Sequence, residues 1–121
     1  MATRYLPVVA LAALLTAAAP GHAENFLSEI DDLPLMPGLR ERPSAGLLFD
    51  TPAGRIAESH AEGAVAADRV IAFYAATLPE LGWVAVGPQQ YRRDNEALRI
   101  EVAVERGATR VRFIVTPAAA P

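Results

Sequence analysis

The strongest pattern in the chain is an alternation of apolar and polar residues near its C-terminus. Apolar residues stand at even positions from Leu98 to Val104 and at odd positions from Val111 to Val115, with mostly charged residues between them. Because the side chains of a strand point to its two faces in turn, this pattern predicts two β-strands that each have one apolar face. The predicted strands are, in chain order, 47–49, 55–61, 83–86, 90–93, 98–105 and 109–116.

Odd and even numbering also restricts how the last two strands pair. Apolar residues share a face only if opposite residues have numbers that sum to an odd value, so the connecting loop holds an even number of residues. If the loop begins at Arg106, a two-residue turn pairs Glu101 with Arg112, and a four-residue turn pairs Glu105 with Arg110. Both alternatives place opposite charges across the exposed face.

One amphipathic helix is predicted over 64–78. Its apolar residues follow the i, i+3, i+4, i+7 spacing that places them on one side of a helix. Pro79 disfavours helical geometry in the residue before it, and Gly82 suits the left-handed conformation that ends many helices. We expect Trp83 to pack back against the helix as a core residue. The apolar stripe consists of Val70, Phe73, Tyr74, Thr77, Leu78 and Leu81.

These elements predict the fold class α+β, with a small antiparallel sheet and one amphipathic helix packed on one face. The domain covers 47–116, and 117–121 is predicted to be a disordered tail. Residues 24–46 contain three prolines, which predict an extended segment that we call the strap. The apolar residues of the strap indicate that it lies across its own domain or docks on a partner.

The N-terminal residues have the layout of a secretory signal peptide. One positive charge, Arg4, precedes an apolar run over 6–19, and small residues follow up to Ala23. A helix over this run spans about 21 Å, which is less than the bilayer's hydrocarbon core of about 30 Å. We therefore expect 1–23 to be removed and the protein to work in the periplasm, with no transmembrane helix in the mature chain.

Composition narrows the classes of function. The 121 residues include no cysteine, which excludes disulfides, thiolate chemistry and Cys-ligated metals. The formal net charge of −3 argues against a nucleic-acid partner. The sequence contains no phosphate loop or nucleophile elbow, and we predict no cofactor. The predicted function is a non-catalytic binding or accessory module whose partner is another envelope protein, and the oligomeric state stays open.

Four arginines form the candidate binding site. They fall on predicted strands that are neighbours, so their guanidinium groups form a candidate patch for an anion or a partner. Glu96, Glu101 and Glu105 are interspersed with them, which favours a sheet face whose charges neutralise one another. The four residues are Arg92, Arg93, Arg110 and Arg112.

His60 carries the alternative function. It is the only histidine beyond the predicted signal peptide, and a strand places Glu58 on the same face. A small hydrolase or metal-dependent enzyme would therefore be centred on His60 with Glu58 or Asp50. One histidine and one carboxylate are a weak metal signal, so an ordinary surface role for His60 is favoured and no metal site is predicted.

Three runs of sequence resemble a known group of proteins. Residues 73–83 read FYAATLPELGW and precede alternating strands, while 33–39 read LPLMPGL and 49–55 read FDTPAGR. Together they resemble uncharacterised exported proteins of alphaproteobacteria, and the likeness covers most of the mature chain. The resemblance implies a periplasmic protein of the same architecture, and it implies no catalytic residue, ligand or substrate.

We expect the exported protein to begin at Glu24. Signal peptidase needs small residues at two positions before the cleaved bond, and Gly21 and Ala23 provide them. Mass spectrometry of the intact protein from a periplasmic extract should therefore give the mass of residues 24–121. A product that still contains Arg4 would contradict the prediction.

Overall fold

A computed structural model describes Arg4 and residues 25–118. The rest of the predicted signal peptide lies outside the described residues, and so does its predicted cleavage. Within the described part, one α-helix packs against one antiparallel sheet, and no helix there has the length and hydropathy needed to cross a bilayer. The strands are β1 (Arg40–Glu41), β2 (Leu47–Thr51), β3 (Gly54–Gly63), β4 (Val84–Gly87), β5 (Gln90–Arg93), β6 (Glu96–Glu105) and β7 (Ala108–Pro117), and the helix is α1 (Ala67–Thr77).

The sheet is antiparallel throughout, with strands in the order β1, β3, β7, β6, β5 and β4. β1 and β2 both pair with β3 along the edge that β7 does not occupy, β2 with the first half of β3 and β1 with its last residues. They therefore form one interrupted edge strand. A 3-10 turn at Pro43–Ala45 makes the interruption. The sheet is therefore six strand positions wide, and the fold contains more sheet than a balanced α+β protein.

The hairpin of β6 and β7 has the two-residue turn. Glu105 pairs with Ala108, and this register sets Glu101 opposite Arg112. The first of the two predicted registers is therefore confirmed, and the apolar residues of both strands share the face that packs against α1.

The start of the predicted disordered tail belongs to the sheet. Pro117 is the last residue of β7 and pairs with Glu96. Beyond it, the backbone amide of Ala118 donates a hydrogen bond of 2.6 Å to the carbonyl of Asn95. A disordered tail from 117 onward is therefore wrong for these two residues, and 119–121 lie outside the described part.

The helix begins three residues later than predicted. Ala66 is the N-cap residue of the helix and has extended backbone angles, so the helix itself starts at Ala67. The preceding turn is tied to the sheet, because the buried hydroxyl of Thr109 donates a hydrogen bond to the carbonyl of Val65. This contact between segments distant in sequence holds the backbone out of helical geometry.

The helix ends as the sequence predicts. α1 passes at Thr77 into a 3-10 turn over Leu78–Leu81, and Gly82 follows with a φ of 91°, in the left-handed region. The chain then reverses, and the amide of Trp83 donates to the carbonyl of Leu78. Trp83 is buried in the core with Tyr74, as expected.

The strap packs on its own domain. Four of its side chains are buried and belong to the same core as the helix and the sheet. On β3 the buried residues beneath this core are Ala57, Ser59 and Ala61, and all three have small side chains. Small side chains let the covering layer approach the sheet closely. The four strap residues are Leu27, Ile30, Leu33 and Leu39.

The first part of the strap is not extended, contrary to the prediction. Phe26 and Pro34 form an antiparallel bridge, which closes the chain between them into a loop. Inside that loop, the amide of Leu33 donates to the carbonyl of Ile30. The loop turns the apolar residues of this part inward, which a straight strand with alternating side chains would not achieve.

Further on, the strap crosses the end of β3 at a point with no room for a side chain. A Cβ atom built on Gly63 would lie 2.1 Å from the carbonyl oxygen of Gly38. Only glycine permits backbones to approach so closely. This crossing fixes where the strap meets the edge of the sheet.

Ile30→Ala is expected to lower the free energy of unfolding by about 2–5 kcal/mol, because it leaves a cavity at a fully buried strap position. Chemical denaturation measures this change. Phe26→Ala is the control in the same strap, where the partly exposed ring should cost about 1 kcal/mol or less. Equal losses in the two variants would contradict a strap that belongs to the core.

Candidate functional site

The side of the sheet that α1 leaves uncovered is here called the open face. On β3 and β7 it carries the even-numbered residues, and on β6 it carries the odd-numbered ones. One half of this face is charged and contains the candidate residue His60. The other half contains apolar residues such as Ile56 and Ile114, which are only partly buried.

In the charged half, Glu58 is the carboxylate that binds its neighbours. Arg112 donates to both of its oxygens, from Nε at 2.6 Å and from Nη2 at 3.1 Å. His60 Nε2 lies 2.8 Å from Glu58 Oε1. A further hydrogen bond of 3.0 Å joins Arg112 Nη1 to Glu101. The hydrogen bonds from Arg112 hold the pKa of Glu58 below its usual range, and His60 adds to this effect.

This arrangement makes Glu58 a poor base. A carboxylate that accepts a bidentate pair from arginine is stabilised in its charged form and has little tendency to take a proton. The structure brings His60 and Glu58 together, as predicted. It does not bring Asp50 to them, because Asp50 pairs with Arg55 on the opposite face of the sheet. Residues 25–118 contain no group of three or more potential ligands that could hold a metal ion.

The four arginines of the predicted patch do not share one surface. Arg92, Arg110 and Arg112 lie on the open face. Arg93 lies on the other side, where its guanidinium carbon stands 4.3 Å from the centre of the Trp83 ring. The patch is therefore divided by the sheet.

On the open face, acidic neighbours neutralise part of the patch. Arg110 approaches Glu62 at 3.8 Å and Glu105 at 3.4 Å, and Arg112 is bound by Glu58. Such partly exposed ion pairs contribute about 1 kcal/mol or less each. The geometry of this half matches the self-neutralising interpretation of the sequence.

A second set of charged contacts lies on the helix side of the sheet. Arg55 donates to Glu96 from Nε at 2.6 Å and from Nη2 at 3.1 Å, and it approaches Asp32 at 3.2 Å. Arg93 donates a second hydrogen bond to Asp32 and lies 3.6 Å from Glu96. We call these four residues the strap clamp, because Asp32 belongs to the strap and the others to the sheet.

The strap clamp favours the ionised form of Asp32. Partial burial acts to raise the pKa of Asp32, but hydrogen bonds from Arg93 and Arg55 outweigh it, so the pKa is lowered. The hydrogen bond to Glu96 likewise raises the pKa of Arg55. The sequence does not reveal this cluster because its residues come from three separate segments, namely the strap, β3 and the hairpin of β5 and β6, and nothing in the local pattern at Asp32 marks it as a partner of Arg93.

An apolar groove lies between the strap and the helix. Its volume is about 690 Å³, and its walls come from the strap on one side and from α1 with the following 3-10 turn on the other. Most of the side chains in these walls are apolar, and several are incompletely buried. The main apolar lining residues are Phe26, Leu35, Met36, Phe73 and Leu81.

Tyr74 holds the two walls of the groove together. Its hydroxyl donates a hydrogen bond of 2.8 Å to the carbonyl of Pro34 and accepts one of 3.1 Å from the amide of Met36. Burial raises the pKa of Tyr74, so the hydroxyl stays protonated and able to donate. Its ring meets Phe73 edge to face, with 4.9 Å between centroids. The groove is therefore framed by fixed contacts.

The sequence gives a partial signal for the groove. Leu35 and Met36 lie in the Pro-rich strap, and Leu81 continues the helical stripe beyond Pro79. The stripe predicts burial for Leu81, yet 37% of it is exposed. The distance between strap and helix, which sets that exposure, is not encoded in any local pattern.

Comparison of the chain with protein-family models, with curated proteins and with solved structures finds no match. The resemblance to exported proteins of alphaproteobacteria and the periplasmic location therefore stay predictions.

Asp32→Asn should remove a pH-dependent part of the stability. Because the pKa of Asp32 is lower in the folded protein than its ordinary value of 3.8, its contribution is fully present above that value. The contribution is lost as the pH falls through the lowered, folded-state pKa. Urea denaturation at several pH values should show the difference between wild type and variant shrinking below about pH 4.

Asp31→Asn is the matched control, since Asp31 is the exposed neighbour of Asp32 in the chain. Its effect on the free energy of unfolding should be small at every pH. A wild-type advantage over Asp32→Asn that stays constant down to pH 2 would show that the ion pairs of Asp32 do not hold the strap.

Proposed function

We propose that this protein is a non-catalytic binding or accessory module of the periplasm that holds an apolar segment of another envelope protein. The surface that binds the segment is the groove between the strap and the helix. The single observation that carries the proposal is this groove of about 690 Å³, whose walls present incompletely buried apolar side chains. Its volume lies within the range typical of binding sites, about 300–1,000 Å³.

The walls of the groove are fixed in place before any ligand binds, which favours a binding site over apolar side chains that are exposed by chance. The strap wall is held by the hydrogen bonds of Tyr74 at Pro34 and Met36 and, two residues before Pro34, by the strap clamp on Asp32. A preformed site loses less conformational entropy when a ligand binds than a flexible one does. The apolar side chains Phe26, Met36 and Leu81 would lose their contact with water when the segment fills the groove.

The charge of the groove indicates the chemistry of its partner. Among the described residues that line it, Glu80 is the only one with a charge. A basic residue beside the apolar segment would meet this carboxylate, while an acidic one would be repelled. We therefore expect an apolar segment flanked by lysine or arginine.

The enzyme alternative has less support. His60 has Glu58 beside it, but Glu58 already accepts both hydrogen bonds of Arg112 and has a lowered pKa. Asp50, the other predicted partner, lies across the sheet. Glu58 is therefore a weak base although it lies beside His60, and Asp50 is on the wrong side of the sheet to assist His60.

The test uses a photo-crosslinking amino acid at position 81 of the tagged, full-length protein expressed with its leader. We expect one reproducible adduct from the envelope, and peptide mapping should place it in an apolar segment with a basic flank. The same crosslinker at position 104 is the control, because Val104 is 63% exposed and is not among the residues that line the groove.

A synthetic peptide of the mapped segment then tests the contact directly. Leu81→Asp should weaken its binding about tenfold or more, since one buried leucine contributes more than 1.4 kcal/mol. Val104→Asp should leave it unchanged, and Glu80→Gln should weaken it and reduce its dependence on salt. Equal crosslinking at positions 81 and 104, or peptide binding that tolerates Leu81→Asp, would refute the proposal.

A further inference from the structure

The edge of the sheet that β2 forms is exposed. Beyond the ladder with β3, residues 47–51 make no backbone hydrogen bond to another described residue. Leu48 is 52% exposed and Phe49 is 60% exposed, so neither the strap nor α1 covers this edge. In an edge strand every second residue directs its N–H and C=O groups outward, where another strand can pair with them. None of these residues lines the groove, so a role for this edge is independent of the proposed function.

The other free edges of the sheet carry features that oppose strand pairing. β1 has only two residues, and both are charged. β4 has a bulge between Ala85 and Gly87, which interrupts a regular ladder. The part of β6 that extends past β5 carries Glu101 and Glu105. Short length, bulges and charges are the devices by which proteins protect sheet edges from pairing.

β2 lacks a bulge, a proline and all charges except one. Its five residues pair with β3 in an unbroken register, and its sequence, LLFDT, contains a single charge at Asp50. Leu47 and Phe49 lie on the open face, whereas Leu48 and Asp50 lie on the helix side. Both sides of this edge therefore offer apolar side chains to a partner strand.

The sequence of β2 fits an antiparallel copy of itself. A pair centred on Phe49 sets the two Phe49 rings opposite each other on the open face and Leu47 opposite Thr51. On the helix side, each Leu48 lies opposite Asp50, and the two Leu48 side chains are diagonal neighbours. All five residues of β2 take part, and no two like charges lie opposite each other. Cross-strand contacts between aromatic and aliphatic side chains stabilise such a pair.

Charge disfavours the next possible register. A shift that sets Leu48 opposite itself would bring Asp50 of the second copy opposite Gly46. A Cβ atom built on Gly46 would lie 2.7 Å from the carboxylate carbon of Glu29, so Glu29 occupies the helix side of this position. Asp50 points to the same side, and the two carboxylates would therefore repel each other. The register centred on Phe49 avoids this contact.

We propose that two copies of this protein pair through β2, with the strands antiparallel and centred on Phe49. The two-fold axis is perpendicular to the sheet, so the two sheets become one and both helices and both grooves lie on the same side of it. Five residues from each edge bury less than the area of about 1,200 Å² from which standard interfaces begin. The dimer is therefore weak, and its population depends on the protein concentration.

Cysteine crosslinking tests the contact, because the sequence contains no cysteine of its own. Directly opposite residues of an antiparallel pair have Cα atoms about 4.5–5.5 Å apart, which a disulfide accepts. Phe49→Cys, in the full chain expressed with its leader, should therefore form a disulfide-linked dimer under mild oxidation. Val84→Cys is the matched control, since Val84 is 64% exposed on the bulged edge strand β4. It should crosslink about tenfold more slowly or worse.

Leu48→Cys tests the register. In the register centred on Phe49, the two thiols at position 48 are diagonal neighbours with Cα atoms about 7–8 Å apart, which is too far for an unstrained disulfide. This variant should therefore crosslink more slowly than Phe49→Cys. Faster crosslinking through position 48 than through position 49, or equal rates at positions 49 and 84, would overturn the proposal.

Charge variants test the same contact without a covalent bond. Phe49→Lys and Phe49→Glu each set like charges opposite one another, so each variant alone should dimerise about tenfold more weakly or worse than the wild type. An equal mixture of the two should recover association, because opposite charges then face each other. Sedimentation equilibrium at rising concentration measures the association, and thermal unfolding checks that the fold is retained. A wild type that stays monomeric at millimolar concentration, or a mixture that associates no better than its components, would contradict the dimer.

Discussion

Covering one side of a sheet six strands wide is the constraint on which the rest of this structure depends. Neighbouring strands lie about 4.8 Å apart, so the sheet is about 24 Å across, whereas a helix of 11 residues is about 16 Å long and 10 Å thick. The helix alone therefore leaves part of the apolar side in water. The strap supplies the missing cover, and for this reason Ile30 and Leu33 are as deeply buried as Phe113 in the centre of the sheet.

The helix and the strap, which together cover the sheet, do not pack closely against each other along their whole length. The groove is the gap between them. Salt bridges fix the strap to the sheet at Asp32, and the hydroxyl of Tyr74 fixes it to the helix near Pro34 and Met36. Between these anchors and the edge of the sheet, apolar side chains of both elements stay incompletely covered. On the open face no second layer covers the sheet within the described residues. Charged side chains there pair with one another instead.

Features of the fold and of the site that depend on residues close together in the chain were predictable from the sequence, and features that depend on residues far apart in the chain were not. Strand sidedness follows from parity within two neighbouring strands, and parity reduces the hairpin to two registers, of which the structure has the one that pairs Glu101 with Arg112. The end of the helix follows from Pro79 and Gly82, which are local signals. The late helix start and the pairing of Arg93 with Asp32 depend on segments distant in sequence. Of the site, the contact between His60 and Glu58 was predictable from spacing, and the groove was not, because it is a gap between two elements.

The crossing of Gly38 over Gly63 has a consequence for comparing this fold with others. A methyl group at position 63 would occupy the space of a carbonyl oxygen, so the route of the N-terminal segment and the identity of one sheet residue are coupled. A homologous chain with any larger residue there must lead that segment around the sheet edge by another path. Position 63 therefore offers a single-letter criterion for deciding whether a distant relative possesses the same groove.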